Sequence, residues 1–181
     1  MAAKQMEGIA GVIAARRSRL SMRAGYKSLF VRIVIMAVAG YLFFTQFFLI
    51  TQVSGLDMFP AFKDGDLAIV FRLQQEYAKN DVIAYETTEG IRFGRIVARG
   101  TDVVAMDDSG TLLVNGTSQS GEILYPTYAL EGIEYPYRVP ESCVFVLGDY
   151  RTKATDSRTL GPVPMDEVVG KVITILRRRG L

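Results

Sequence analysis

The sequence contains no histidine and a single cysteine among its 181 residues. Without histidine, Ser-His-Asp and Cys-His catalysis are excluded, and so are the common histidine-based zinc sites. Cys143 has no partner for an internal disulfide, and its place in an apolar run predicts a small buried side chain rather than a reactive thiol. An exported domain without disulfides fits the surface of a Gram-positive bacterium. We predict no metal site and no cofactor.

Acidic residues are scarce at the start of the chain. Residues 1–32 contain seven basic residues and one acidic residue, whereas the remainder contains fourteen basic and eighteen acidic residues. A basic segment beside an apolar run is typical of the cytoplasmic flank of a membrane helix. Because this segment leads straight into such a run, we do not expect nucleic acid as a partner. We predict a basic cytoplasmic segment over residues 1–28.

The one long run without charge covers residues 33–50, which read IVIMAVAGYLFFTQFFLI. As a helix this run is about 27 Å long, close to the hydrocarbon thickness of a bilayer. A cleavable secretory signal has a shorter apolar core followed by a small-x-small site, and residues 51–54 do not provide one. We predict a single-pass anchor in the cell membrane over residues 29–51, with an extracellular domain over residues 52–181.

From residue 67 onward, short β-branched and aromatic runs alternate with clusters of Gly, Asp, Asn and Pro. This pattern predicts strands over residues 67–71, 82–85, 91–97, 103–105, 111–114, 144–147 and 168–176. Turn residues predict hairpins at 107–110 and 115–116. The tyrosine-rich residues 121–140 are predicted to be irregular, and the basic residues 177–179 to form a solvated tail. Many short strands at close spacing favour a mainly β domain, an antiparallel barrel or sandwich.

Five sequence blocks follow the order found in type I signal peptidases, and the chain resembles that family over about residues 30–176. The blocks are GLDMFPA at 55–61, GDLAIV at 65–70, NDVIAY at 80–85, GRIVARG at 94–100, and LGDY at 147–150 with DSRTLG at 156–161. One such block is a weak signal, but five in order behind a single apolar run are specific. The resemblance implies a signal-peptidase-like β domain behind one membrane helix.

The resemblance also implies a chemistry and a set of site residues. In the family, a serine hydroxyl is activated by a neutral lysine that is buried among apolar side chains, and no histidine is needed. The substrate is an extended peptide that adds as a strand beside the sheet. The peptide groove is implied at Gly55, Asp57, Met58, Pro60, Gly94 and Arg95. The supporting motif is implied at Gly148, Asp149, Asp156, Ser157 and Arg158, with Asp156 and Arg158 as an ion pair that stabilises the fold.

Both members of the family's catalytic pair are missing. Asp57 stands at the serine position and Gly94 at the lysine position, while Ala61 replaces a threonine and Tyr150 an asparagine. An ionised carboxylate is a poor nucleophile towards an amide, and glycine offers no base. Losing a nucleophile and its base costs many orders of magnitude in rate. We therefore assign no catalytic residue and predict a signal peptidase scaffold that does not cleave.

Two substitute mechanisms are open from the sequence. An active signal peptidase with an unorthodox pair would use Ser54 with Lys63, although Lys63 lies in a polar turn where it would stay charged. An aspartic mechanism would pair Asp57 with Asp149 or Asp156, and it requires two carboxylates that share a proton. Nothing in the sequence places those carboxylates together.

Proteins with Asp and Gly at these two positions resemble signal-peptidase-like factors from pilus loci of Gram-positive bacteria. That resemblance implies a binding or chaperone role in pilus polymerisation, with the membrane, pilin subunits and a sortase as partners. We predict that Gly94 enlarges the groove and that Asp57 receives an amine of the client. In two other interpretations, Asp57 only bonds to nearby backbone while the segment 121–140 binds the client, or the chain is a tethered structural subunit.

Overall fold

The computed structural model describes residues 2–119 and 124–177, with side chains from Gly25 onward. The chain divides into a helical unit up to Gln46 and a β unit from Phe47. Parts of two predictions lie outside the described residues: positions 121–123 of the irregular segment and positions 178–179 of the basic tail.

The helical unit is one long helix, α1, which covers Ala2–Phe47. Its stretch Gly25–Phe47 has 23 residues with a mean hydropathy of 2.0, so it is long and apolar enough to cross a membrane. Large apolar side chains along this stretch, including Phe30 and Met36, are exposed. A helix that is apolar on all sides needs an apolar environment around it. The predicted apolar helix near the N-terminus is confirmed.

Helix α1 ends at Phe47, four residues before the predicted end of the anchor at residue 51. The next residues form strand β1, Phe48–Gln52, which pairs antiparallel with Leu67–Phe71. Hydropathy does not distinguish the last turn of a spanning helix from an apolar strand that follows it. The hydrogen-bonded partner strand decides between the two.

The β unit consists mainly of antiparallel strands, which confirms the predicted fold class. The strands after β1 are β2 (Leu67–Phe71), β3 (Val82–Thr87), β4 (Gly90–Arg99), β5 (Val103–Met106), β6 (Leu112–Val114), β7 (Thr117–Ser118), β8 (Tyr137–Arg138), β9 (Cys143–Leu147), β10 (Val163–Pro164) and β11 (Val168–Leu176). The described strands form a seven-stranded sheet in the order β1-β2-β11-β3-β4-β9-β10 and a four-stranded sheet in the order β7-β6-β5-β8. A short helix, α2 (Ser157–Leu160), and a 3-10 turn (Met165–Glu167) precede β10 and β11, respectively.

Strand β9 contributes to two apolar clusters because successive side chains of a strand point to opposite faces. Val146 packs with Ile96 of β4 on one face. Phe145 and Leu147 pack on the other face with residues of the four-stranded sheet, such as Val104. Strand β4 lies between β3 and β9, so position 94 is in the middle of the large sheet.

Both predicted hairpin turns are confirmed. Between β5 and β6, the Asp107 carboxylate accepts hydrogen bonds from the backbone N–H groups of Ser109 and Thr111, at 3.0 and 2.8 Å. Between β6 and β7, Asn115 and Gly116 both have positive φ, at 53° and 78°. Two successive residues with positive φ define the type I′ turn that Asn-Gly favours.

Close packing between β11 and β2 requires a glycine at position 170. A Cβ atom there would lie 2.3 Å from the Phe71 carbonyl oxygen and 2.9 Å from Val70 Cγ1. We expect Gly170→Ala to lower the free energy of unfolding by about 1–3 kcal/mol, as overpacking does, measured by urea denaturation of the full chain in detergent. Ile173→Ala removes an exposed side chain from the same strand and should change the free energy by about 0.5 kcal/mol or less. Equal effects would contradict the packing argument.

Candidate functional site

Asp57 lies on the loop between β1 and β2, and this loop is held by hydrogen bonds to the segment just before β2. Gly65 N–H donates to the Val53 carbonyl at 2.9 Å. Gly55 N–H donates to Asp64 Oδ1 at 2.8 Å, and the φ of Gly55 is +86°, a conformation that favours glycine. The starts of the first two sequence blocks are therefore held close together through Val53 and Asp64, which lie just outside the blocks.

Burial of one side chain fixes the inner side of the same loop. Met58 is 2% exposed and packs in an apolar cluster with Phe62. On the other side, Tyr150 N–H donates to the Asp57 carbonyl at 2.9 Å. Pro60 lies in the same loop, after a cis peptide bond. The backbone of Asp57 is thus positioned by the core and by the LGDY block together.

The Asp57 carboxylate forms an ion pair with Arg92 of β4. Arg92 Nη1 lies 2.9 Å from Asp57 Oδ2, and each side chain is about one-quarter exposed. The other oxygen, Oδ1, has one long hydrogen bond, 3.4 Å from the backbone nitrogen of Thr155. One carboxylate oxygen therefore has a charged partner, and the other is only weakly engaged.

Arg92 is a site residue that the sequence interpretation missed. Its Nη2 also donates to Glu89 Oε2 at 2.6 Å. The hydrogen bond to Glu89 and the charges of Asp57 and Glu89 raise the pKa of Arg92, whereas partial burial opposes this. A sequence signal was present, because Arg92 precedes Gly94 by two residues and therefore points to the same face of β4.

The space beside Gly94 is filled, so the prediction of an enlarged groove is wrong. A Cβ atom at Gly94 would lie 2.3 Å from Val146 Cγ1 and 3.5 Å from Tyr85 Cε1. Val146 is itself held in place, because its backbone N–H donates to the buried Ser157 Oγ at 3.0 Å. A lysine side chain at position 94 therefore requires Val146 to move.

Each carboxylate of the predicted site has its own arginine. Besides the pair at Asp57, the Asp149 carboxylate accepts two hydrogen bonds from Arg95, at 2.8 and 2.7 Å. The Asp156 carboxylate accepts two from the Arg158 side chain, both at 2.9 Å. An aspartic mechanism needs two carboxylates that share one proton. Three separate ion pairs do not provide that arrangement.

The geometry does not support a pair of Ser54 and Lys63 either. Both residues are exposed, and no hydrogen bond joins their side chains in the described part of the chain. A lysine acts as a general base near neutral pH only when burial or a neighbouring cation lowers its pKa. An exposed lysine lacks that environment.

The predicted pair of Asp156 and Arg158 is present and almost completely buried, with side chains 2% and 1% exposed. Asp156 caps the N-terminus of α2 and also accepts a hydrogen bond from Gly148 N–H at 3.1 Å. Arg158 Nη2 donates to the Arg151 carbonyl at 2.6 Å, and Nη1 donates to the Tyr128 carbonyl at 3.2 Å. The pair connects α2 with the segment 148–151 and with Tyr128, which is the stabilising role expected from the sequence.

Arg151 is a second residue that the sequence interpretation missed. It is 4% exposed, and in the described residues its side chain bonds only to neutral groups. Its partners are the Gly148 carbonyl at 2.9 Å, Thr127 Oγ1 at 2.7 Å and Gln119 Oε1 at 3.0 Å. Burial lowers the pKa of Arg151 to about 10. Nothing in the local sequence separates this arginine from a surface residue.

Tyr150, which replaces the family's asparagine, lies in an aromatic cluster beside Asp57. Its ring centroid is 4.7 Å from that of Tyr125 and 5.8 Å from that of Phe59. Lys153 Nζ lies 5.6 Å from the Tyr150 centroid, within the range of a cation–π contact. The tyrosine-rich segment thus contacts the predicted site through Tyr125.

The contact between Val146 and position 94 can be tested by a double-mutant cycle. We expect Gly94→Ala to lower the free energy of unfolding by about 1–3 kcal/mol, because the new Cβ overpacks the sheet. Val146→Ala should relieve this strain, so that the double variant is more stable than the sum of the single effects predicts. Val144→Ala, in the same strand and cluster, should combine additively with Gly94→Ala. Additivity in both cycles would contradict the contact.

The buried ion pair leads to a second prediction. Arg158→Met leaves the Asp156 carboxylate buried without its partner, which should lower the free energy of unfolding by about 3–5 kcal/mol. Lys79→Met removes a more exposed cation from its pair with Asp102 and should cost about 1 kcal/mol or less. Urea denaturation of both variants measures the difference, and similar losses would show that burial does not set the strength of the Asp156–Arg158 pair.

Comparison with known proteins identifies several relatives of this chain. Over 159 residues the chain is 28% identical to signal peptidase I of Bacillus caldolyticus, and this alignment covers 79% of this chain and 85% of the relative. It is 31% identical over 138 residues to a probable thylakoidal processing peptidase 2 of Arabidopsis thaliana, covering 67% of this chain but only 36% of that protein. A crystal structure of a signal peptidase I from Enterococcus faecalis aligns with 55% of this chain and 97% of its own, at 28% identity and a TM-score of 0.46. The sequence profile described as signal peptidase, peptidase S26, matches residues 26–176, and the chain therefore belongs to that family.

Proposed function

We propose that this chain is a membrane-anchored, non-catalytic signal peptidase homologue that binds a client protein without cleaving it. The observation that carries the proposal is the pairing of Asp57 with Arg92 at the nucleophile position. An arginine is not deprotonated in proteins, so Arg92 does not act as a general base. Val146 fills the space beside Gly94, where the family's lysine would lie. The region therefore offers neither a nucleophile nor a base.

The proposed topology follows from the helix and the charge of its flank. The apolar stretch Gly25–Phe47 is the anchor, and the seven basic residues within positions 1–32 favour a cytoplasmic N-terminus. The β unit that follows would then be extracellular. In this arrangement the domain works next to the cell membrane, where exported proteins emerge.

The finer part of the proposal is a chaperone-like role in the assembly of surface pili with a sortase. It rests on the resemblance of the Asp57 and Gly94 combination to factors from pilus loci. The weakly engaged Oδ1 of Asp57 is suited to an N–H donor or an amine of a pilin-like client, while Arg92 holds Oδ2. In this proposal the client binds at the position where the family cleaves its substrates, and the client stays intact.

A cleavage assay tests the non-catalytic part. We expect the purified full chain in detergent to leave a pre-protein unprocessed at its small-x-small site, because the site lacks a base. Signal peptidase I of Bacillus licheniformis, a 31% identical relative over 155 residues, serves as the positive control. Processing by the wild-type chain that disappears in Asp57→Ala would instead establish the alternative, an active signal peptidase with an unorthodox pair.

Assembly in cells tests the binding part. We expect Asp57→Ala and Asp57→Asn to reduce the high-molecular-weight pilus ladder on an immunoblot, at unchanged levels of the protein. Asp108→Asn changes the charge equally at an exposed hairpin position and should leave the ladder intact. Wild-type ladders in both Asp57 variants would overturn a role of this carboxylate in pilus assembly.

A further inference from the structure

Three aromatic side chains from distant parts of the chain meet beside the Asp57 loop. Phe59 belongs to this loop, Tyr125 to the tyrosine-rich segment and Tyr150 to the segment after β9. The ring centroid of Tyr150 lies 5.8 Å from that of Phe59 and 4.7 Å from that of Tyr125, and all three residues are partly exposed. The faces of aromatic rings carry partial negative charge, so a partly exposed cluster of this kind attracts cations.

An ammonium group of the chain itself already lies over this cluster. Lys153 Nζ is 5.6 Å from the centroid of the Tyr150 ring. The backbone N–H groups of Lys153 and Ala154 both donate to the Tyr150 carbonyl at 2.9 Å, so a tight turn brings the lysine back to the tyrosine. Lys153 is exposed, and within the described part of the chain its ammonium group has no hydrogen bond and no ion pair. The ring is therefore its one charge-dependent contact among the described residues.

The segment that presents the ring also contacts Asp57 at two points. Tyr150 N–H donates to the Asp57 carbonyl at 2.9 Å, and the backbone nitrogen of Thr155 lies 3.4 Å from Asp57 Oδ1. Lys153 lies between these two contacts in the sequence, yet the ion pair of Asp57 is with Arg92. The aromatic cluster and the weakly engaged carboxylate oxygen are thus connected by one short segment. A ligand held at Asp57 lies close to the residues that present the ring.

We propose that the Tyr150 ring binds a lysine side chain of the client, and that Lys153 occupies this position until the client displaces it. Phe59 and Tyr125 provide apolar surface for the methylene groups of the client lysine. The exchange replaces one ammonium group by another, so the charge over the ring stays the same. Since Lys153 is tethered beside the ring, it competes at a high effective concentration and weakens binding of the client. This inference rests on the proposed function, because the client must be held without being cleaved.

Fluorescence anisotropy of a short labelled peptide of valine and threonine, added to the full chain in detergent, tests the ring site. One probe carries a central trimethyl-lysine, and its matched probe carries the neutral isostere in which a tert-butyl group replaces the trimethylammonium group. Because neither group donates a hydrogen bond, a difference between the probes reports the charge over the ring. We expect the cationic probe to bind about threefold more tightly, as a partly exposed cation–π contact allows.

Three variants separate the ring from its internal occupant. Lys153→Met should raise the affinity for the cationic probe about threefold, since the tethered competitor is gone, and should leave the neutral probe unchanged. Tyr150→Asn, which introduces the asparagine of the family's block, should remove the preference for the cationic probe. Tyr150→Phe keeps an aromatic ring and should retain the preference. A gain in affinity does not arise from misfolding, so Lys153→Met keeps the test valid even where Tyr150→Asn is unstable.

The control variant Lys63→Met makes the same charge change at an exposed position on the Asp57 loop and should bind both probes as the wild type does. Equal gains in the two lysine variants, or a cationic preference that survives in Tyr150→Asn, would overturn the ring site. Equal binding of the two probes, with pilus ladders that depend on Asp57, would overturn this inference and support the proposed function. Cleavage of a pre-protein by the wild type with an intact cationic preference would do the reverse.

Discussion

The buried ion pair between Asp156 and Arg158 holds together the segments on which the position of the Asp57 loop depends. A charge at this depth is tolerated only when its hydrogen-bonding groups are satisfied. Here the guanidinium binds the carbonyls of Arg151 and Tyr128, and the carboxylate binds Gly148 N–H. The pair therefore imposes the relative positions of three chain segments. Tyr150, two residues after Gly148, then holds the loop that contains Asp57, because its backbone N–H donates to the Asp57 carbonyl.

The region around Asp57 contains side chains that pair with partners distant in sequence. At the two positions that the resemblance assigns to the family's catalytic pair, Asp57 forms an ion pair with Arg92, and Gly94 lies beside Val146. The carboxylate therefore has a charged partner, and the space immediately beside Gly94 is occupied. The second oxygen of Asp57 has one long hydrogen bond. In the function proposed above, this oxygen accepts a hydrogen bond from the client.

The sequence by itself determined the apolar helix, the mainly β class, both hairpin turns and the family, because these depend on local composition and on ordered motifs. It also indicated the Asp156–Arg158 pair, since both residues belong to one block. It did not show that Phe48 begins a strand, that Arg92 reaches Asp57, or that Val146 fills the space beside Gly94. Those facts depend on strand register and on side chains that are distant in sequence, so only the tertiary structure decided them.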